Sequence, residues 1–77
     1  MTRLQLVAFS ALAKVAEAKG FHRVRQEGSH VVFRNAEGKI VVIPNHGSQV
    51  IVRPLLRKIL RDMGVHPDEY EHILKEL

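Results

Sequence analysis

The amino-acid sequence predicts an α+β fold, in which a three-stranded antiparallel sheet carries its helices on one face in the order α-β-β-β-α with a short C-terminal helix. Two observations predict it. Apolar residues recur at three- and four-residue spacing at Ala8, Leu12, Val15 and Ala16, and again at Leu55, Leu56, Ile59, Leu60 and Met63, the period of amphipathic helices. Between them, residues 21–43 switch to short runs rich in β-branched residues, cut by Gly28-Ser29 and by Asn35-Ala36-Glu37-Gly38. A chain of 77 residues has room for one core, so residues 1–77 are expected to form a single domain. With 45% apolar residues and no cysteine, that core is held by packing alone or by a partner, and thiolate nucleophiles and cysteine zinc sites are excluded.

Taken in order, the first helix covers residues 8–19 and ends at Gly20. Its start has two candidates: Thr2 with Gln5 matches a capping box, while Ser10 suits a shorter helix preceded by an extended segment over residues 3–7. The later start is the preferred reading. Strands follow at 21–26, 30–34 and 39–43, then a polar loop, Asn45-His46-Gly47-Ser48, and residues 49–52. Pro54 suits the first turn of a helix running to Met63 and closed by Gly64, with Arg53, Arg57, Lys58 and Arg61 on its wet side. A last helix opens at Pro67, Asp68 and Glu69, acids placed where the helix dipole favours them, with Tyr70, Ile73, Leu74 and Leu77 available for packing.

A two-residue loop at Gly28-Ser29 suits a type II′ turn, whose first central position favours glycine. That turn sets Glu27 opposite His30, Gln26 opposite Val31, Arg25 opposite Val32, Val24 opposite Phe33 and Arg23 opposite Arg34. Strand alternation then gathers Val24, Val31 and Phe33 on the face to be buried. Arg23, Arg25, His30 and Arg34 share the open face with Val32.

Charge points to a polyanionic partner. Residues 1–61 hold eleven Lys or Arg against three Asp or Glu, a net +8, whereas residues 62–77 hold one against five, a net −4. A small cationic body of this kind attracts nucleic acid. No apolar run has the length of a membrane span, and the N-terminal stretch lacks the hydrophobic region of a signal peptide, so a soluble cytoplasmic protein with no membrane partner is expected.

His30 is the leading candidate for chemistry, because it follows a tight turn on the face that also bears Arg23, Arg25 and Arg34. Cleaving RNA without a metal requires the 2′-OH to attack the adjacent phosphorus, with a group titrating near neutrality to move a proton and fixed positive charge to stabilise the transition state. Histidine and arginine supply these. His46, in the loop beyond the third strand, is a candidate phosphate contact or second proton carrier. His22, His66 and His72 are weaker candidates, and no pair has the spacing of a hydrolytic zinc motif. Neither a phosphate-binding glycine loop nor a nucleophilic serine motif is present. Aromatic residues make up 5% of the chain and Phe9, Phe21 and Phe33 are wanted for the core, so recognition of RNA should rest on backbone and shape.

The ordered string Gly20-Phe21, Arg25-Gln26, Gly28-Ser29-His30, Gly38, Val42-Ile43-Pro44, His46 and Leu56-Arg57-Lys58-Ile59-Leu60-Arg61 resembles the HicA toxin family, also called YcfA-like proteins, over about residues 8–70. The resemblance implies a fold like the double-stranded-RNA-binding domain and an mRNA-cleaving endoribonuclease, an mRNA interferase, inhibited by a HicB-type antitoxin. It places the family's catalytic histidine on His30 and makes His46 a contributor nearby, while the residues themselves give RNA contacts to Arg23, Arg25, Arg34 and Ser29, with no metal or other cofactor expected. Where members often carry Gly-Thr before the second helix, with lysines upstream, this chain has Arg53-Pro54 and no lysine in residues 49–52. The rival reading on the same scaffold is an RNA-binding module without catalysis. A third, a protein-interaction domain whose cationic face is covered by an acidic antitoxin surface, coexists with the endoribonuclease reading.

Overall fold

In the computed structural model, which describes residues 4–77, the first apolar stripe folds as helix α1 (Phe9–Ala18) and buries Phe9, Leu12, Ala13, Val15 and Ala16. The later start is the one observed, with one correction: the cap is Ala8, in extended backbone and without a side-chain bond, and Ser10 lies inside the first turn. Thr2, the alternative cap, lies outside the described residues, as does Arg3. Buried Leu4 and Val7 precede the helix, and the segment is tied across the molecule where Ala8 bridges Val50 and the Ile51 N–H donates to the Val7 carbonyl at 2.9 Å. At the other end, the Phe21 N–H donates to Ala16 and the Gly20 N–H to Glu17, both at 3.0 Å, the bond pair that closes a helix over a glycine. The same pair closes the second helix at Gly64, through Val65 to Leu60 at 2.9 Å and Gly64 to Arg61 at 3.0 Å.

Strands β1 (His22–Glu27), β2 (His30–Arg34) and β3 (Ile40–Pro44) form one antiparallel sheet in that spatial order. Gly28 has φ 60° and no non-glycine residue described has positive φ, so Ser29 does not and the turn is not type I′, which needs both central residues there. The expected register holds from Glu27–His30 through Gln26–Val31 to Arg25–Val32. Beyond Arg25 it fails. Arg23 opposes Phe33 and His22 opposes Arg34, with Val24 left over as the extra residue of a β-bulge. One inserted residue reverses the alternation, so Val24 is 47% exposed instead of buried, and Arg23 leaves the open face. The Arg23 guanidinium lies 5.4 Å from the Phe9 ring centre and 6.0 Å from that of Phe33, capping the edge of an aromatic pair whose centres are 6.4 Å apart.

On the covered face Val31, Phe33, Val41 and Ile43 enter the core. The β2–β3 register, Arg34–Ile40, Val32–Val42 and His30–Pro44, puts these six residues on the other face. Helix α2 (Arg53–Met63) supplies Leu56, Ile59, Leu60 and Met63 to the core, with Pro54 in its first turn as expected. Arg57, Lys58 and Arg61 are exposed, but Arg53 is half-buried and donates through Nη1 to the Leu4 carbonyl at 2.8 Å, a structural tie where a wet residue was expected. Helix α3 (Pro67–Glu76) is capped by His66, whose Nδ1 accepts from the Asp68 N–H at 3.2 Å. A 2.5 Å Lys19–Glu69 ion pair joins it to the end of α1.

Tyr70 on α3 is buried and donates its hydroxyl to the Gln5 carbonyl at 2.6 Å. Burial pushes the phenol up to about 12 from its ordinary 10.0, because a phenolate there would lose its water. Between those pH values the folded state keeps a proton that the unfolded state has released, so stability present below pH 10.0 is lost as pH rises toward about 12. Urea melts should therefore show a steeper decline over this range for the wild type than for Tyr70→Phe. At neutral pH the variant should be about 1 kcal/mol less stable through the lost hydrogen bond.

Candidate functional site

The tight turn delivers His30 as the first residue of β2, on the open face, between Glu27 of β1 and Pro44 of β3. The Asn45 N–H then donates to the Ser29 carbonyl at 2.6 Å, which carries the β2–β3 pairing one step beyond Pro44 and holds the next loop against the turn. That loop is closed on itself. The Asn45 Oδ1 accepts from the Gly47 N–H at 3.1 Å, Gly47 takes the left-handed φ of 66°, and the Gln49 N–H donates to the His46 carbonyl at 3.2 Å. His46 is carried on this knot.

Both exposed imidazoles, His30 and His46, line one groove of about 650 Å³. Ile40 and Val42 of β3 form one wall. Val50, Val52 and the α2 residues Leu55, Lys58 and Asp62 stand across from it, with Lys58 Nζ 2.8 Å from Asp62 Oδ2. The groove lies where the edge strand β3 meets α2, which packs beside it.

The four other candidate residues are distributed unequally. Arg25 is on the open face opposite Val32, diagonal to His30, and its Nε is 2.7 Å from Glu27 Oε2 in an exposed pair that water screens. Arg34 is on the same face at the far end of β2, about 13 Å from His30 at the usual rise of a strand, with His22 opposite it. Arg23 is turned to the Phe9–Phe33 edge by the bulge. Ser29 is half-buried, and its backbone carbonyl anchors Asn45. His66 caps α3 and His72 lies on it, and neither lines the groove. Among the described residues, no group of three or more His, Asp or Glu could hold a metal ion.

Among the groove residues that sequence reasoning did not place here are two pairs, Val50 with Val52 and Lys58 with Asp62. A signal existed for each pair: Val50-Ile51-Val52 alternates about one buried residue, and Lys58 and Asp62 are four apart on one helix face.

Among known families, the model of the HicA toxin of bacterial toxin-antitoxin systems matches residues 9–65, which take in α1, the sheet, the His46 loop and α2. No curated protein sequence matches the chain.

If the Asn45–Gly47 knot holds His46 in place, Asn45→Ala and Gly47→Ala should each speed hydrogen exchange of the amides of residues 45–49, leaving β2 protected. Gly47→Ala should in addition lower stability by about 1 kcal/mol, since alanine resists a left-handed φ.

Proposed function

The chain belongs to the HicA toxin family of bacterial toxin–antitoxin systems, and from that membership we propose that it is a metal-independent endoribonuclease, an mRNA interferase acting in the cytoplasm and restrained by a HicB-type antitoxin. The observation that carries the reading is that His30 and His46, distant in sequence, line one open groove beside a sheet face bearing Arg25 and Arg34. Two imidazoles at one phosphodiester give the acid and the base that transesterification needs.

In this mechanism the unprotonated imidazole takes the proton of the ribose 2′-OH as that oxygen bonds to phosphorus. The bond from phosphorus to the 5′-oxygen breaks, and the protonated imidazole gives its proton to the departing oxygen. The products are a 5′ fragment ending in a 2′,3′-cyclic phosphate and a 3′ fragment with a free 5′-OH. The two imidazoles finish in exchanged protonation states and are reset through water. His30 is the principal acid or base and His46 its partner. Arg25, nearest to His30, stabilises the charge gathering on the phosphoryl oxygens. Arg34, Ser29 and, from the sheet edge, Arg23 hold the flanking backbone, and these contacts weaken with salt. An antitoxin with an acidic surface matches the same cationic side.

Digestion of RNA with a chelator present tests the reading. His30→Ala should lower the cleavage rate by about 100-fold or more, His46→Ala less, and Arg25→Ala should weaken cleavage more at low salt than at high, where the contact is already screened. Undiminished cleavage by His30→Ala would overturn the mechanism. Loss of wild-type cleavage on adding chelator would overturn its metal independence, and RNA bound but left intact would favour the non-catalytic binding module.

A further inference from the structure

Six large apolar side chains are strongly exposed among the described residues: Val24, Ile40, Val42, Val50, Val52 and Leu77. Single exposed valines are ordinary on a protein surface. Four of these, however, Ile40, Val42, Val50 and Val52, come from two separate segments and line the same groove as His30 and His46, each 42 to 59% exposed. A concave cluster of that kind marks a binding surface. On the α2 side the groove is bounded by the Lys58–Asp62 pair.

The chemistry of the surroundings chooses the occupant. Lys58 lines the groove itself, exposed Arg57 precedes it on α2 outside the groove, and residues 1–61 carry a net +8, so an apolar trough here sits within a field that draws polyanions. RNA is a polyanion with flat apolar heterocycles, and single-stranded RNA is recognised by seating an unstacked base in a pocket and reading its edge. A nucleotide whose phosphate lies between the two imidazoles has this groove as the concavity beside its ribose.

Asp62 supplies the means of reading that edge. One carboxylate oxygen takes the Lys58 ammonium at 2.8 Å, and the other retains its capacity to accept. A carboxylate accepts from the amino groups of adenine, cytosine or guanine, whereas uracil presents carbonyl oxygens on either side of its single N–H. We propose that the groove is a nucleobase subsite, with aliphatic walls against the faces of the base next to the scissile phosphate and Asp62 selecting an amino-bearing base over uracil. This inference rests on the endoribonuclease reading above.

Sequencing the ends produced from a mixed RNA pool tests it. The wild type should disfavour uracil at one position beside the cut by about tenfold, the discrimination expected of one hydrogen bond to a charged group. Asp62→Asn, which gains a donor, should erase that bias, and Val42→Ser should lower cleavage and weaken it. Val24→Ser, on the bulge outside the groove, should leave the map unchanged. An identical map for wild type and Asp62→Asn would overturn the subsite. So would groove variants that keep the map but escape neutralisation by the antitoxin, since the groove would then be a protein-docking surface. Absence of any cut by the wild type is a separate result, which would remove the nuclease reading and the subsite with it.

Discussion

The two-residue turn at Gly28-Ser29 decides which side of the sheet each residue of β2 faces, and through that which side chains are buried and which meet solvent. Gly28 sits at φ 60°, a conformation that resists a β-carbon, and it brings Glu27 directly opposite His30. A loop longer by one residue would exchange the faces, sending an imidazole and a guanidinium under the helices and lifting Val31 and Phe33 into water. Burying a charge without a partner costs several kcal/mol in typical cases, so this register is strongly specified. The same turn offers the Ser29 carbonyl to Asn45 and so sets where the His46 loop begins.

The rest of the site follows from the unequal treatment of the two sheet faces. On one, Val31, Phe33, Val41 and Ile43 meet Leu12, Val15, Leu56 and Ile59 in a continuous core. On the other, His30, Arg34, Ile40 and Val42 remain exposed. Apolar residues there are not needed for the core, and their clustering beside β3 distinguishes the groove from ordinary surface. Arg53, Tyr70 and the Ile51 N–H fasten residues 4–7 to the other side of the molecule, so the segment carrying Val50 and Val52 is fixed from behind by bonds to backbone carbonyls. The groove is therefore a product of tertiary packing as much as of the strands beside it.

Most of the scaffold was legible in the sequence because local chemistry specified it: Gly20 and Gly64 as helix ends, Pro54 in a first turn, Gly28-Ser29 as a tight turn, and apolar stripes at helical period. Val24 was misread because a β-bulge demands no particular residue, and an uninterrupted alternation is the simpler reading of Arg23-Val24-Arg25. That single insertion moved Arg23 onto the Phe9–Phe33 edge, a contact between residues brought together only by the fold. Arg53 was misread for a related reason, since its partner, the Leu4 carbonyl, lies 49 residues away. His30 and His46 could be picked out singly, but their meeting in one groove depends on a backbone bond from Asn45 that leaves no mark in side-chain composition.

The chemistry proposed for this groove makes the substrate its own nucleophile, and the ends of the fragments record whether that is so. Mass analysis of a short oligoribonucleotide cut by the wild-type protein should find a 2′,3′-cyclic phosphate, or the 3′-phosphate it opens to, on the upstream fragment and a 5′-hydroxyl on the downstream one. An upstream 3′-hydroxyl with a downstream 5′-phosphate would mean that water attacked instead, and would contradict the account.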